Sequence, residues 1–170
     1  MLIVLGGLSG TGKSTIAKLL ACRIGAVHVR VDTIEQALRA SGTLRADVGP
    51  AGYLAAYGVA EDNLRVGGTV VADSVNPLGV TRTAWRAIGE RLAVGVVEVE
   101  MICGDQAEHR RRVETRTSDI DGLKQPTWQA VVDRHYEAWD REHIVIDTST
   151  KSADELVADL VSQLNAPRAP

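Results

Sequence analysis

Apolar and polar positions along the chain switch repeatedly between a period of two and a period near 3.6. Leu2 to Leu5 is a short unbroken apolar run stopped by Gly6 and Gly7, the pattern of a strand buried on both faces. Ile16, Leu19, Leu20 and Ile24 then recur at helical spacing from Lys13 onward, until Gly25. Residues 26–31 alternate and are rich in Val, which predicts a second strand. Asp32 or Thr33 is placed to cap a helix through Ile34 and Leu38, closed by Ser41 and Gly42. Beyond a loop over 43–52, the pattern predicts a helix over 53–66, a strand over 69–73, a loop over 74–80 and a helix over 81–92. A strand over 96–103, an arginine-rich helix over 105–115, a loop over 117–126 and a helix over 127–139 come next. A strand over 143–146 and an amphipathic helix over 153–164 follow, and residues 165–170 read as a frayed tail.

Strands that alternate with helices call for an α/β fold, a five-stranded parallel sheet with helices on both faces. No repeat or low-complexity linker interrupts the alternation, so residues 1–164 are expected to form a single domain.

Composition narrows the function classes. Apolar residues are 45% and charged residues 24% of the 170, ordinary for a globular chain. A net charge of −3 lacks the basic excess of a general nucleic-acid binder. No apolar stretch approaches membrane-spanning length, and the N-terminus has no signal-peptide pattern, so no membrane partner and a cytoplasmic location are expected. Cys22 and Cys103 lie in apolar segments and are expected to be buried thiols. No His or Cys pair has zinc-ligand spacing, and His28 and His109 carry no signal. Trp128, Val132, His135, Tyr136 and Trp139 fit a helical stripe, which reads first as core packing.

One segment carries specific chemistry. Gly7, Leu8, Ser9, Gly10, Thr11, Gly12, Lys13 and Ser14 fit G-x-x-x-x-G-K-[ST], the phosphate-binding loop, and Thr15 extends it. Glycines let successive N–H groups point into an anion-sized cradle, and the following helix adds its positive end. Lys13 can reach the outer phosphates of ATP, and the Ser14 hydroxyl can ligate Mg2+. The strand before the loop and the helix after it supply the required context.

Other residues indicate the kind of P-loop protein. An Asn-Lys-x-Asp guanine reader is absent, and Ser74, not Glu, follows Asp73 at the end of the third strand. A site without that Glu suits transfer to a bound hydroxyl better than hydrolysis. Asp32 stands just beyond the second strand, where open α/β sheets bind ligands, and could orient and deprotonate an attacking hydroxyl; a helix cap is the other reading and is compatible with that role. Asp73 could hold Mg2+ through water, or simply form a turn. Asn76 and Arg82 are candidates for acceptor binding, with surface charge an equal reading of Arg82. Arg112 and Arg116 share one face of the arginine-rich helix and could neutralise charge on a moving phosphoryl group; a solvated face explains most of their neighbours.

The run from Gly6 to Ala17 resembles the P-loop of adenylyl-sulfate kinases. The whole chain resembles the broader family of P-loop small-molecule kinases that includes gluconate kinase, chloramphenicol phosphotransferase and zeta-toxin-like enzymes. That resemblance implies the P-loop NTPase fold, ATP and Mg2+ as cofactors, and a phosphotransferase with an alcohol group as acceptor. It implies functional acids at Asp32 and Asp73 and an Arg-rich lid over about 105–126, with Arg110 to Arg116 in it. The chain departs from adenylyl-sulfate kinases after the second strand, where Val31, Asp32, Thr33 and Ile34 replace Asp-Gly-Asp-Asn, and it has no Phe to clamp their substrate. The acceptor and the oligomeric state have no readable signal. The alternative function is an NTPase or nucleotide-binding switch without a small-molecule acceptor.

Overall fold

The computed structural model describes residues 1–43 and 46–166. Most of the expected tail, 167–170, therefore lies outside the described residues. Within them the chain forms β1 (Leu2–Gly6), α1 (Lys13–Ile24), β2 (Val27–Arg30), α2 (Val31–Ala40), α3 (Ala51–Arg65), β3 (Val70–Asp73), α4 (Gly79–Leu92), β4 (Val96–Ile102), α5 (Gln106–Thr115), α6 (Trp128–Val132), β5 (Ile144–Asp147) and α7 (Ala153–Asn165).

The five strands form one parallel sheet in the order β2-β3-β1-β4-β5. Both faces are covered, as an all-parallel sheet requires. Side chains alternate across β1: Ile3 and Leu5 join Ile16 and Leu20 of α1 and Leu156 and Leu160 of α7 on one face. Leu2 and Val4 join Ala56 and Ala60 of α3 and Trp85 and Ile88 of α4 on the other. The direction of strand progression reverses at β1, so a crevice opens beyond its carboxyl end. The register sets Leu5 beside Asp73, and Asp73 beside Arg30.

Two expectations are corrected. The helix expected over 127–139 is a single short one, α6, whose first turn is capped by the Thr127 side chain at 3.2 Å from the Ala130 N–H. Beyond it the aromatic stripe serves another purpose, because Tyr136 and Trp139 stack on the Arg82 guanidinium, 5.0 and 4.3 Å from their ring centroids. The cysteines are also not buried as expected: Cys22 is exposed on the solvent side of α1, and Cys103 is half-buried in the loop after β4. A helix or strand has two sides, and an apolar neighbourhood in sequence does not decide between them.

Trp85 is fully buried and packs edge-on against Tyr57, with ring centroids 4.6 Å apart. Trp85→Ala should lower unfolding free energy by about 3–5 kcal/mol, the usual range for emptying such a site. Urea unfolding measures this.

Candidate active site

β1 runs straight into the glycine-rich loop. Gly7, Gly10 and Gly12 have φ of 129°, 87° and 84°, in the region that side chains disfavour. A Cβ at Gly7 would also strike the Met101 carbonyl oxygen, and one at Gly10 the Val113 side chain. The Gly7 N–H donates to the Val75 carbonyl at 3.0 Å, and the Thr11 hydroxyl to the Leu8 carbonyl at 2.9 Å. Gly12 opens α1 without a side-chain cap, leaving the first-turn N–H groups to an anion. Buried Lys13 donates from Nζ across the loop to the Leu8 carbonyl at 3.0 Å. Burial lowers its pKa, while the charges of Asp73 and Asp32 act against that shift.

Asp73 ends β3 almost wholly buried. Its Oδ2 lies 3.3 Å from His28 Nε2 and 3.7 Å from Arg30 Nε. Burial pushes the Asp73 carboxyl up, but hydrogen bonds from His28 and Ser14 and the Lys13 charge outweigh it and hold the group below 3.8. One hydroxyl and one carboxylate at a buried point fit a hard cation that keeps most of its waters and takes phosphate oxygens. They would not make a protein cage, and no cluster of three or more His, Cys, Asp or Glu able to hold a metal exists among the described residues.

Several cavities adjoin this end of the sheet. The largest, about 620 Å³, is lined by Gly12, Lys13, Ser14, Lys18, Arg112 and Arg116. A second, about 270 Å³, is lined by Asp32, Glu35, Tyr53, Arg116, Lys124 and Arg134, with Ser9 at its edge. Arg116 and Gln125 belong to both. A third, about 310 Å³, lies between Thr15, Ile16, Arg112, Thr148 and Leu156.

The arginine-rich helix rests on the loop. Asp105 caps it, accepting from the Glu108 N–H at 3.0 Å, and His109 Nε2 lies 2.8 Å from the Ser9 carbonyl oxygen. Arg110 and Arg111 pair with Glu114 and Glu108 on the solvent side. Arg112 is braced by Glu108 at 2.7 Å and by the Thr148 hydroxyl at 2.9 Å. Arg116 ends the helix and keeps a buried Nε without a partner among the described residues. The loop beyond is tied to β2 by Arg30, whose Nη1 donates to Asp119 Oδ1 at 2.8 Å.

The structure thus brings Lys13, Ser14, Asp32, Asp73, Arg112 and Arg116 to one end of the sheet. Asp32 is the second residue of α2, not its cap; Arg30 takes the cap position. Asn76 and Arg82 lie elsewhere than expected. Both are fully buried and line none of these cavities. Arg82 donates to the carbonyls of Asn76, Pro77, Glu137 and Ala138 at 3.1, 3.3, 2.7 and 3.1 Å. Asn76, at φ 49°, accepts from the Thr81 hydroxyl at 2.7 Å and donates its N–H to the Tyr53 hydroxyl at 3.0 Å. Both residues therefore brace the turn that follows β3.

Sequence reasoning missed His28, Arg30, Tyr53, Arg134 and Thr148. The alternation of β2 held a signal for the first two: His28 and Arg30 are polar where a strand covered on both faces needs none. Tyr53, Arg134 and Thr148 arrive from distant segments.

A parallel sheet whose central strand feeds a glycine-hinged anion loop, with a buried acid on the next strand, defines a P-loop nucleotide-binding protein. The chain belongs to the family described as AAA domain, whose model matches residues 2–138. No match exists among curated proteins. Among solved structures, the APS kinase CysC of Mycobacterium tuberculosis in complex with AMPPNP and APS is similar at 21% identity, covering 97% of both chains with a TM-score of 0.70. A putative kinase of Chloroflexus aurantiacus is 16% identical over 96% of this chain and 94% of that one, with a TM-score of 0.74. Kti12 of Chaetomium thermophilum in complex with ADP-AlF3 is 20% identical over 98% and 100%, with a TM-score of 0.68.

Because the Asp73 pKa is depressed on folding, the charge stabilises the protein above about pH 3.8 and the effect is lost as pH falls through the folded value. Asp73→Asn should cost on the order of 3 kcal/mol at pH 7, by stranding buried cations. The gap to wild type should narrow at pH 3. Equal gaps in urea unfolding at the two pH values would show that the charge does not stabilise the fold.

Proposed function

We propose that the protein is an ATP- and Mg2+-dependent phosphotransferase that moves the γ-phosphoryl group to a hydroxyl of a small-molecule acceptor. The observation that carries this is Arg116, which stands in the wall common to the P-loop cavity and the cavity of Asp32. A nucleotide on the loop and an acceptor beside Asp32 would meet at that guanidinium.

Each part has a task. The glycine loop and the α1 N-terminus bind the phosphates through N–H groups, and Lys13 turns from the Leu8 carbonyl toward the outer ones. The cavity of Ile16, Arg112, Thr148 and Leu156 takes the nucleoside end. Ser14 and Asp73 would hold Mg2+, which when bound would offset the charge of the phosphates. Asp32 orients the acceptor hydroxyl and takes its proton as the hydroxyl oxygen bonds to the γ-phosphorus. The bond to the bridging oxygen breaks, and ADP leaves with the electron pair. Arg116, with Arg112 behind it, neutralises the charge spread over the moving group. Residues of about 105–126 act as the lid, closing to exclude water.

The likeness to Kti12 with ADP-AlF3 favours a second reading, a nucleotide switch without an acceptor. That reading leaves the Asp32 cavity without a task, and acceptor-dependent ADP release separates the two.

Lys13→Ala should retain the fold by circular dichroism and lose turnover. Asp32→Asn should leave nucleotide affinity nearly unchanged and slow phosphoryl transfer by roughly 10²–10⁴, the range for losing a general base. Full activity in folded Lys13→Ala, read by coupled ADP release, would overturn the phosphotransferase reading.

A further inference from the structure

The cavity beside Asp32 is unevenly charged. Most arginines among the described residues are matched: Arg30, Arg39, Arg65, Arg86, Arg91, Arg110, Arg111, Arg112 and Arg141 each lie within 4.0 Å of a carboxylate oxygen. Arg82 is saturated by carbonyls. Arg23, Arg116 and Arg134 have no such partner among the described residues, and the last two face this one cavity together with Lys124, which has none either. Glu35, on the opposite wall, is already held by Arg39 at 3.1 Å. That leaves three cations around Asp32.

The charges are also segregated. Asp32 and Glu35 come from α2, whereas Lys124 and Arg134 come from the segments on either side of α6. Arg134 lines this cavity although the residue is exposed. Between these walls lie Val31, Val75 and Pro126, with Tyr53 the one aromatic ring, so no stacked pair of rings is present to grip a flat base. At about 270 Å³ the space falls just below the ~300–1,000 Å³ typical of sites for drug-sized ligands.

We infer that the acceptor is a small hydroxylated anion, a polyol-like molecule whose carboxylate or phosphate is held by Arg134 and Lys124 while its reacting hydroxyl lies at Asp32. The inference rests on the phosphotransferase reading and adds the substrate class and two specificity-determining residues to it. Arg116 stays at the transferred group. A neutral polyol would leave Lys124 and Arg134 without a counter-charge, and an acceptor cation would be repelled by them.

The test uses a matched six-carbon set: sorbitol, gluconate and sorbitol 6-phosphate, with glycerol, glycerate and glycerol 3-phosphate as the three-carbon set. Coupled ADP release gives kcat and KM, and calorimetry on the AMPPNP-loaded protein gives binding without transfer. At least one anion should be used in preference to its neutral counterpart; the carboxylate and phosphate members show which group is read. For that anion, Arg134→Gln and Lys124→Gln should each raise KM on the order of tenfold or more, the loss of one charge-assisted hydrogen bond. The kcat and the nucleotide KM should stay within a few-fold, and Arg134→Lys should recover part of the affinity. Transfer to a neutral polyol as good as to its anionic partner, unchanged KM in both Gln variants, or no binding of any anion overturns the inference and leaves phosphotransfer standing. Binding of an anion without any ADP release overturns phosphotransfer and leaves the anion site.

Discussion

The Asp73 carboxylate is almost wholly buried, and the carboxyl ends of three strands are arranged around that fact. An isolated charge in this position would cost several kcal/mol. The cost is offset by groups that parallel register delivers from different directions: His28 and Arg30 from the edge strand β2, Lys13 and Ser14 from the first turn of α1. Those same groups surround the phosphate loop. The acid therefore fixes the relative positions of loop, edge strand and sheet before any nucleotide arrives, which is the preorganisation that charge stabilisation in catalysis requires. His28 Nε2 and Arg30 Nε both lie within 4.0 Å of Asp73 Oδ2, and the Arg30 charge offsets part of the carboxylate's. A cation held there must rely on phosphate oxygens as well as protein, so metal and nucleotide are expected to bind together.

A second buried charge organises the turn after β3. Arg82 is wholly enclosed, yet no carboxylate pairs with it among the described residues. Its donors go to four carbonyls, two from the turn after β3 and two from residues 137 and 138. Those carbonyls belong to irregular backbone, which must find partners somewhere when buried. Arg82 thus does for two loops what a helix would do for itself, and Tyr136 and Trp139 close over it. The result holds the segment that carries Arg134 against the turn that orders Asn76 and Tyr53.

How far the sequence carries the reader follows from these two sites. The order of strands and helices was legible because buried parallel strands are apolar runs and their helices are periodic; every expected strand is present within a residue or two. The phosphate loop was legible because glycine at φ near 84° to 129° leaves a fixed signature. The helix over 127–139 was misread because its apolar spacing is real, but the spacing serves a stack on a buried cation contributed from 45 or more residues earlier. Arg82 looked like surface charge or a ligand because sequence gives no sign of burial for an arginine whose partners are backbone. Arg134 and Lys124 were invisible for the converse reason: exposed cations have no pattern until the fold shows what they face.

Arg116 then links the two halves of the site. It lines both cavities, and the loop beyond it is held to β2 by one ion pair, Arg30 with a largely exposed Asp119. An exposed pair of this kind contributes no more than about 1 kcal/mol. The loop can therefore open at little cost, whereas the P-loop and the Arg82 cluster cannot. The charges locked by burial are those of Asp73 and Arg82, whereas the segment after Arg116 rests on a largely exposed pair. Under the phosphotransfer proposed above, Arg116 would stand between nucleotide and acceptor. On that proposal, the cation that the transferred group requires sits on the segment that closes to exclude water.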